Sequence, residues 1–264
     1  MKNKISVLLV LFSLSTLQTF AGGGWPQPVG EGYFKLSQTM IRATQYFNPD
    51  GDLVDITTTS VYMSSIYGEF GISERFTGVL YAPLFVRSTI NNRESTLNGR
   101  IETGDEFNGV GDIDLGLKYA LITKGPIALS ASVILGLPTG QNVGGESELL
   151  QTGDGEFNQL FRLEASHSFH PAPIYATLSV GYNNRGSADF EYASGVLSVD
   201  YADQFQWGGE IGWTPSSQLL LSLKWLHLTS IDNGDNNGNT GSSSVFGNNI
   251  SYFQLRLRLI CTHR

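Results

Sequence analysis

The stretch GDIDLGLKYALITKGPIALSASVILGLPTG, Gly111–Gly140, decides the fold. Ile113, Leu115, Leu117, Tyr119 and Leu121 alternate with Asp112, Asp114, Gly116, Lys118 and Ala120. After a break at Thr123–Pro126, Ile127, Leu129, Ala131, Val133, Leu135 and Leu137 form a second apolar file, between Ala128, Ser130 and Ser132. A period of two belongs to β-strands, because successive side chains leave opposite faces of the sheet. Two such runs on either side of a short Gly/Pro link read as an antiparallel hairpin.

The same pattern continues outward. Phe157, Phe161, Leu163 and Ala165 alternate with Asn158, Arg162, Glu164 and Ser166, and Ile174, Ala176, Leu178, Val180 and Tyr182 with Thr177 and Ser179. Tyr201, Phe205, Trp207, Ile211 and Trp213 oppose Gln204, Gln206 and Glu210. Phe253, Leu255, Leu257 and Leu259 oppose Gln254, Arg256 and Arg258. Residues 32–47, 55–70 and 75–90 read as strands whose blurred alternation predicts bulges. The count is ten, and a hairpin hidden between Phe190 and Val199 would make it twelve.

Short links near Gly71–Glu74, Thr123–Pro126, Pro171–Pro173 and Thr214–Ser217 alternate with long ones near Asn48–Val54, Asn91–Asn108, Thr139–Gly153, Asn184–Asp200 and Ile231–Asn248. An even strand number with alternating short and long connections predicts an all-β fold, an antiparallel transmembrane β-barrel with short periplasmic turns and long outer loops. Aromatics agree with a membrane. Tyr119, Phe169 and Trp213 fall near short turns, and Phe157, Tyr182, Tyr201 and Phe253 near long loops, where two interfacial girdles are expected.

Composition points the same way. Of 264 residues, 15% are charged, against about 25% in an ordinary soluble domain, and 31 are glycine. The single cysteine excludes an intramolecular disulfide framework. A net charge of −8 argues against nucleic acid as a partner. Residues 1–21 read as an export signal, with Lys2 and Lys4, an apolar Ile5–Leu14 and a Thr19-Phe20-Ala21 cleavage site. The apolar run is too short for a spanning helix, which needs roughly 20 residues. Residues 22–264 then form one barrel domain, destined for the outer membrane and in contact with its lipid and lipopolysaccharide.

Several segments carry a family resemblance. GYFKLSQ (Gly32–Gln38), QYFNPDG (Gln45–Gly51), IYGEFGISERFTG (Ile66–Gly78), GDIDLGLKY (Gly111–Tyr119), LGLPTG (Leu135–Gly140), TGDGEFNQ (Thr152–Gln159) and NNR (Asn183–Arg185) resemble the bacterial outer-membrane proteins grouped under meta-pathway phenol degradation. The resemblance covers residues 24–185 and implies a transporter-like barrel associated with small hydrophobic or aromatic compounds. It carries no catalytic residues. Where such barrels usually finish on an aromatic, this chain continues with Cys261-Thr262-His263-Arg264.

The charges sort by position. Most acids fall in the long loops or at their rims, among them Asp105, Glu106, Asp154 and Glu156, against only Arg93, Arg100 and Arg185. Such a rim would attract cations or repel anionic solutes, although no calcium-loop spacing is present and no metal site is expected. On the lumen face the expected acids are Glu69, Asp112, Asp114, Glu164 and Glu210, and the expected bases Arg87, Lys118, Arg162, Lys224, Arg256 and Arg258. Near balance implies either an ion-paired plug or a polar constriction. Ten to twelve strands leave a narrow bore, since open aqueous channels need about 16.

Enzyme chemistry finds little footing. Ser166-His167-Ser168 could suggest a lipid-modifying serine site, but strand neighbours point to opposite faces and cannot form a nucleophile–base pair. No glycine-rich phosphate loop or zinc-ligand spacing occurs, so no cofactor is expected. The readings in order are a narrow channel or transporter for small hydrophobic or aromatic compounds, a non-conducting structural or ligand-binding barrel, and a membrane enzyme.

Overall fold

The computed structural model describes residues 23–47, 52–94, 101–216, 219–231 and 250–259. The leader 1–21, the loop 232–248 and the tail from Cys261 lie outside these described residues.

The strands are β1 (Gly32–Phe47), β2 (Leu53–Gly71), β3 (Phe76–Ile90), β4 (Arg93–Glu94), β5 (Ile101–Glu102), β6 (Asp105–Gly109), β7 (Ile113–Ile122), β8 (Ile127–Leu137), β9 (Asn158–Ser168), β10 (Ile174–Arg185), β11 (Ser187–Tyr192), β12 (Gly195–Asp200), β13 (Gln204–Ser216), β14 (Leu219–Ser230) and β15 (Ile250–Leu259). Ten of them follow one path, β1-β2-β3-β7-β8-β9-β10-β13-β14-β15. They are antiparallel throughout and curl through 299° into a near-barrel. Short β6 extends β3, while β4–β5 and β11–β12 form separate two-stranded ribbons. The hairpin suspected between Phe190 and Val199 therefore exists, but it stands in the long-loop region outside the barrel wall, and among the described residues the wall has ten strands rather than twelve.

The wall is inverted relative to a water-soluble protein. Its buried inner face carries Thr77, Lys118, Ser130, Ser132, Ser166, Thr177 and Ser222. Its outer face exposes Leu115, Leu117, Ile127, Val133, Leu135, Phe161, Leu163, Leu178, Val180, Trp207, Ile211 and Trp213. A monomer in water rarely exposes an apolar patch beyond a few hundred Å²; this file continues from strand to strand around the wall and suits hydrocarbon. Aromatic clusters mark both of its ends. At the short links Phe76 meets Tyr119 at 4.9 Å, Arg75 lies over the Tyr119 ring at 5.9 Å, and His167 meets Phe169 at 4.5 Å. Toward the long loops Trp207 meets Trp225 at 4.3 Å and His227 at 5.4 Å. Tyr201 departs from the expected girdle. It precedes β13 and is buried beneath the β11–β12 ribbon with Ala188 and Val199.

The bulges expected in the first three strands occur, with register shifts between Ala43 and Gln45 in β1 and between Ser64 and Ser65 in β2. Opposite the second shift, β3 pairs through Pro83 and then Phe85, skipping Leu84. The extra residue reverses the alternation beyond it. Val86 and Ser88 turn inward and are buried, which sends Arg87 to the opposite face.

Candidate functional site

Residues 23–31 precede the first strand and run across the lumen as a strap at the short-link end. Val29 bridges to Gly71 in parallel. From there Gln27 donates its backbone N–H to Thr77 Oγ1 at 2.9 Å and its side-chain amide to Glu69 Oε2 at 3.0 Å. Trp25 packs edge-on to Tyr175 at 6.1 Å, beside Leu220. Gly24 donates to Ser166 Oγ at 2.9 Å, and Ser166 shares a hydrogen bond of 2.8 Å with Thr177. Lys118 Nζ holds the strap from the other side, donating to the Gly23 carbonyl at 3.0 Å and to Glu69 at 3.3 Å. Both members of that ion pair are buried, and Tyr67 donates a further hydrogen bond to Glu69.

The strap's composition fits its path. Gly23 has φ +94°, and a Cβ there would lie 2.8 Å from Ser166 Oγ; a Cβ on Gly24 would lie 2.6 Å from the Ala128 carbonyl oxygen. Only glycine passes so close to the wall. Pro26 and Pro28 bring no N–H into the lumen and keep the chain extended.

Next to the strap lies a polar chamber of about 320 Å³. Glu69, Lys118, Arg162, Glu164, Glu210 and Lys224 all line it, together with Tyr33, Lys35, Tyr67 and Tyr81. Glu210 faces Lys224 directly across the β13–β14 ladder and accepts a hydrogen bond from Tyr175. Lys35 Nζ lies 5.7 Å from the Tyr67 ring centre. Of the other expected lumen residues, Asp112 and Asp114 lie toward the long-loop end. Arg87 does not join them: the Leu84 bulge places it outside, paired with exposed Glu106. The backbone register sets residues 256 and 258 opposite inward-facing Ser222 and Leu220, and the side chains of Arg256 and Arg258 lie outside the described set.

The long-loop end is closed differently. Asp112 accepts from Gly140 N–H at 2.8 Å and from Asp154 N–H at 2.6 Å, and Thr139 Oγ1 donates to the Gly111 carbonyl at 2.7 Å. Ser88 donates to the Gln151 carbonyl from inside the wall. The loop 138–157 is thereby drawn over the mouth. Arg185, at the end of β10, locks it by pairing with Asp154 at 3.2 Å and with Glu156, with its guanidinium 4.3 Å over the Tyr201 ring. Burial pushes the Glu156 carboxyl up to about 7 despite Arg185, and it raises Asp154 for the same reason. The acidic rim expected from sequence thus divides. Asp154 and Glu156 turn inward onto Arg185, while Asp105 and Glu106 stay on β6, Glu106 exposed and Asp105 half-buried. Asp105 accepts from Ser147 N–H and Oγ at 2.8 and 2.7 Å, which hold its carboxyl below the usual range.

The dispersed sequence motifs converge on these two closures. Tyr67 and Glu69 of IYGEFG meet Lys118 of GLKY at the strap. Asp112 of GDIDLG, Thr139 and Gly140 of LPTG, Asp154 and Glu156 of TGDGEFN and Arg185 of NNR meet at the outer clasp. Sequence reading missed Lys35 and the strap. Lys35 could have been found, because it alternates with Phe34 and Leu36. Ser166 and His167 point to opposite faces: the hydroxyl holds the strap, and the imidazole lies against the Pro126 carbonyl.

A solved structure shares this architecture. The chain has the fold of an outer-membrane channel. It is similar to the COG4313 outer membrane channel from Pseudomonas putida F1, at 16% identity and a TM-score of 0.53, over 81% of this chain and 77% of that one. No family model and no curated protein matches the sequence. Against the P. putida channel the shared feature is the curled antiparallel wall; the strap and clasp are described from this chain's own residues.

Proposed function

We propose that this protein is a narrow outer-membrane channel for small hydrophobic or aromatic compounds, here in a closed form. The observation that carries the reading is a lipid-suited wall enclosing a polar chamber that is shut at one end by the strap and at the other by the clasped loop. The short-link end then faces the periplasm and the long loops face outward, with lipopolysaccharide against the outer aromatics. Export through the 1–21 leader and the resemblance to the phenol-degradation barrels support the same reading.

The test is flux through liposomes containing the full protein or a variant lacking residues 23–28. Entry of a small neutral aromatic above the protein-free rate, faster without the strap, supports transport. Equal flux in all three preparations would leave the second reading, a non-conducting binding barrel, which the buried Lys118–Glu69 pair at the plug favours.

A further inference from the structure

The chamber beside the strap is lined by four bases and three acids, and their engagements are unequal. Glu69 is committed to Lys118, Gln27 and Tyr67. Glu210 accepts from Tyr175 and faces Lys224 across the ladder. Glu164 and Lys35 also line the chamber. Among the described residues, Arg162 has no carboxylate within ion-pair distance. Tyr67 packs against Tyr33 at 6.4 Å, and Tyr81, Val79 and Ile134 complete an aromatic and apolar wall.

From this arrangement we infer that the chamber binds a small aromatic carboxylate, its ring on the Tyr33–Tyr67–Tyr81 side and its carboxylate on Arg162. The guanidinium offers a planar fork that matches a carboxylate. A neutral ring would leave this half-buried cation without a carboxylate in ion-pair contact, and an aromatic ammonium would be repelled by Lys35, Arg162 and Lys224. The volume takes a single-ring acid together with waters of about 30 Å³ each. The inference deepens the transport reading by naming the permeant's charge, while the site itself stands on the chamber's geometry.

The test is equilibrium dialysis of ring-labelled benzoate, benzyl alcohol and benzylammonium at pH 7 against the full protein in detergent, in parallel with liposome flux of the same compounds. Expected is saturable benzoate binding at one site per barrel, with benzylammonium unbound. Arg162→Gln should weaken benzoate about ten- to a hundredfold, the size of a charge-assisted contact. Arg162→Lys, which keeps the charge and protects against a folding artefact, should weaken it less. Benzyl alcohol or benzylammonium binding as well as benzoate, or Arg162→Gln binding like the parent, overturns the site. Benzoate binding without flux of any compound would leave the site standing and remove transport. Benzyl alcohol flux without benzoate binding would do the reverse.

Discussion

The two ends of the lumen are closed by different chemistry. At the short links the closure is main chain: two glycines and two prolines run against wall hydroxyls, with one buried ion pair fastening them. At the long loops it is side-chain charge: Arg185 draws two carboxylates inward and Asp112 caps the loop that carries them. The strap closure depends on shape and on a pair out of reach of solvent, so neither salt nor pH should open it readily. The clasp includes a carboxyl that burial has brought close to neutral pH and an Asp154 side chain that is half exposed. A barrel with these two closures has one fixed end and one adjustable end.

The largest effect should come from removing the fixed end. Gly24→Val places a side chain where the Ala128 and Glu164 carbonyls stand, so the strap cannot seat. Single-channel conductance in planar bilayers should rise if the strap is what narrows the bore; conductance equal to the parent would mean that the constriction lies elsewhere. Next in size is Lys118→Met, which strands buried Glu69. Loss of one partner of a buried pair costs about 3–5 kcal/mol, and urea unfolding should show it. The double variant Lys118→Met with Glu69→Leu should recover much of that loss, because the stranded charge is gone. If the double variant is no more stable than the single, the pair is not the fastening.

Much of the wall was legible in the sequence. Alternation from Ile113 to Leu137 and from Phe157 to Tyr182 fixes strands, faces and count, because a half-lipid, half-lumen wall imposes period two on every strand. The inward positions of Lys118, Arg162, Glu164 and Glu210 follow from the same period. Arg87 escapes it because one unpaired residue, Leu84, inverts the parity downstream. The strap has no period at all: its partners Ser166 and Thr77 are 142 and 50 residues away, and only the tight Gly-Gly passage hints at close approach. The two acidic loop entries illustrate the limit of local pattern. Thr103–Asn108 and Thr152–Asn158 are nearly the same string, yet the first leads into β6. The second contains Gly155 at φ +75°, which turns the chain so that Glu156 meets Arg185.

At the adjustable end, Arg185→Gln leaves buried Glu156 without its partner, yet it should cost less than Lys118→Met, because the Glu156 carboxyl, raised to about 7, can take up a proton and Asp154 can turn to water. Its signature is local: faster amide exchange in residues 139–157 with unchanged protection in β8 and β9. Unchanged exchange in the loop would show that Asp112 alone holds it. The smallest effect is the pH dependence of the parent. Glu156 has its carboxyl raised from 4.5 to about 7 when the clasp is closed, so the closed form holds its proton more tightly than the open form. The contribution is fully present below about 4.5 and is lost as pH rises through about 7. Asp154, raised by the same burial, has the same sign. Loop exchange, corrected for intrinsic chemistry, should therefore be faster at pH 8 than at pH 5, and Glu156→Gln, which cannot ionise, should flatten most of that difference. Exchange that instead slows on going from pH 5 to pH 8 would mean that pairing with Arg185 outweighs burial, and the two ends would then be closed with similar permanence.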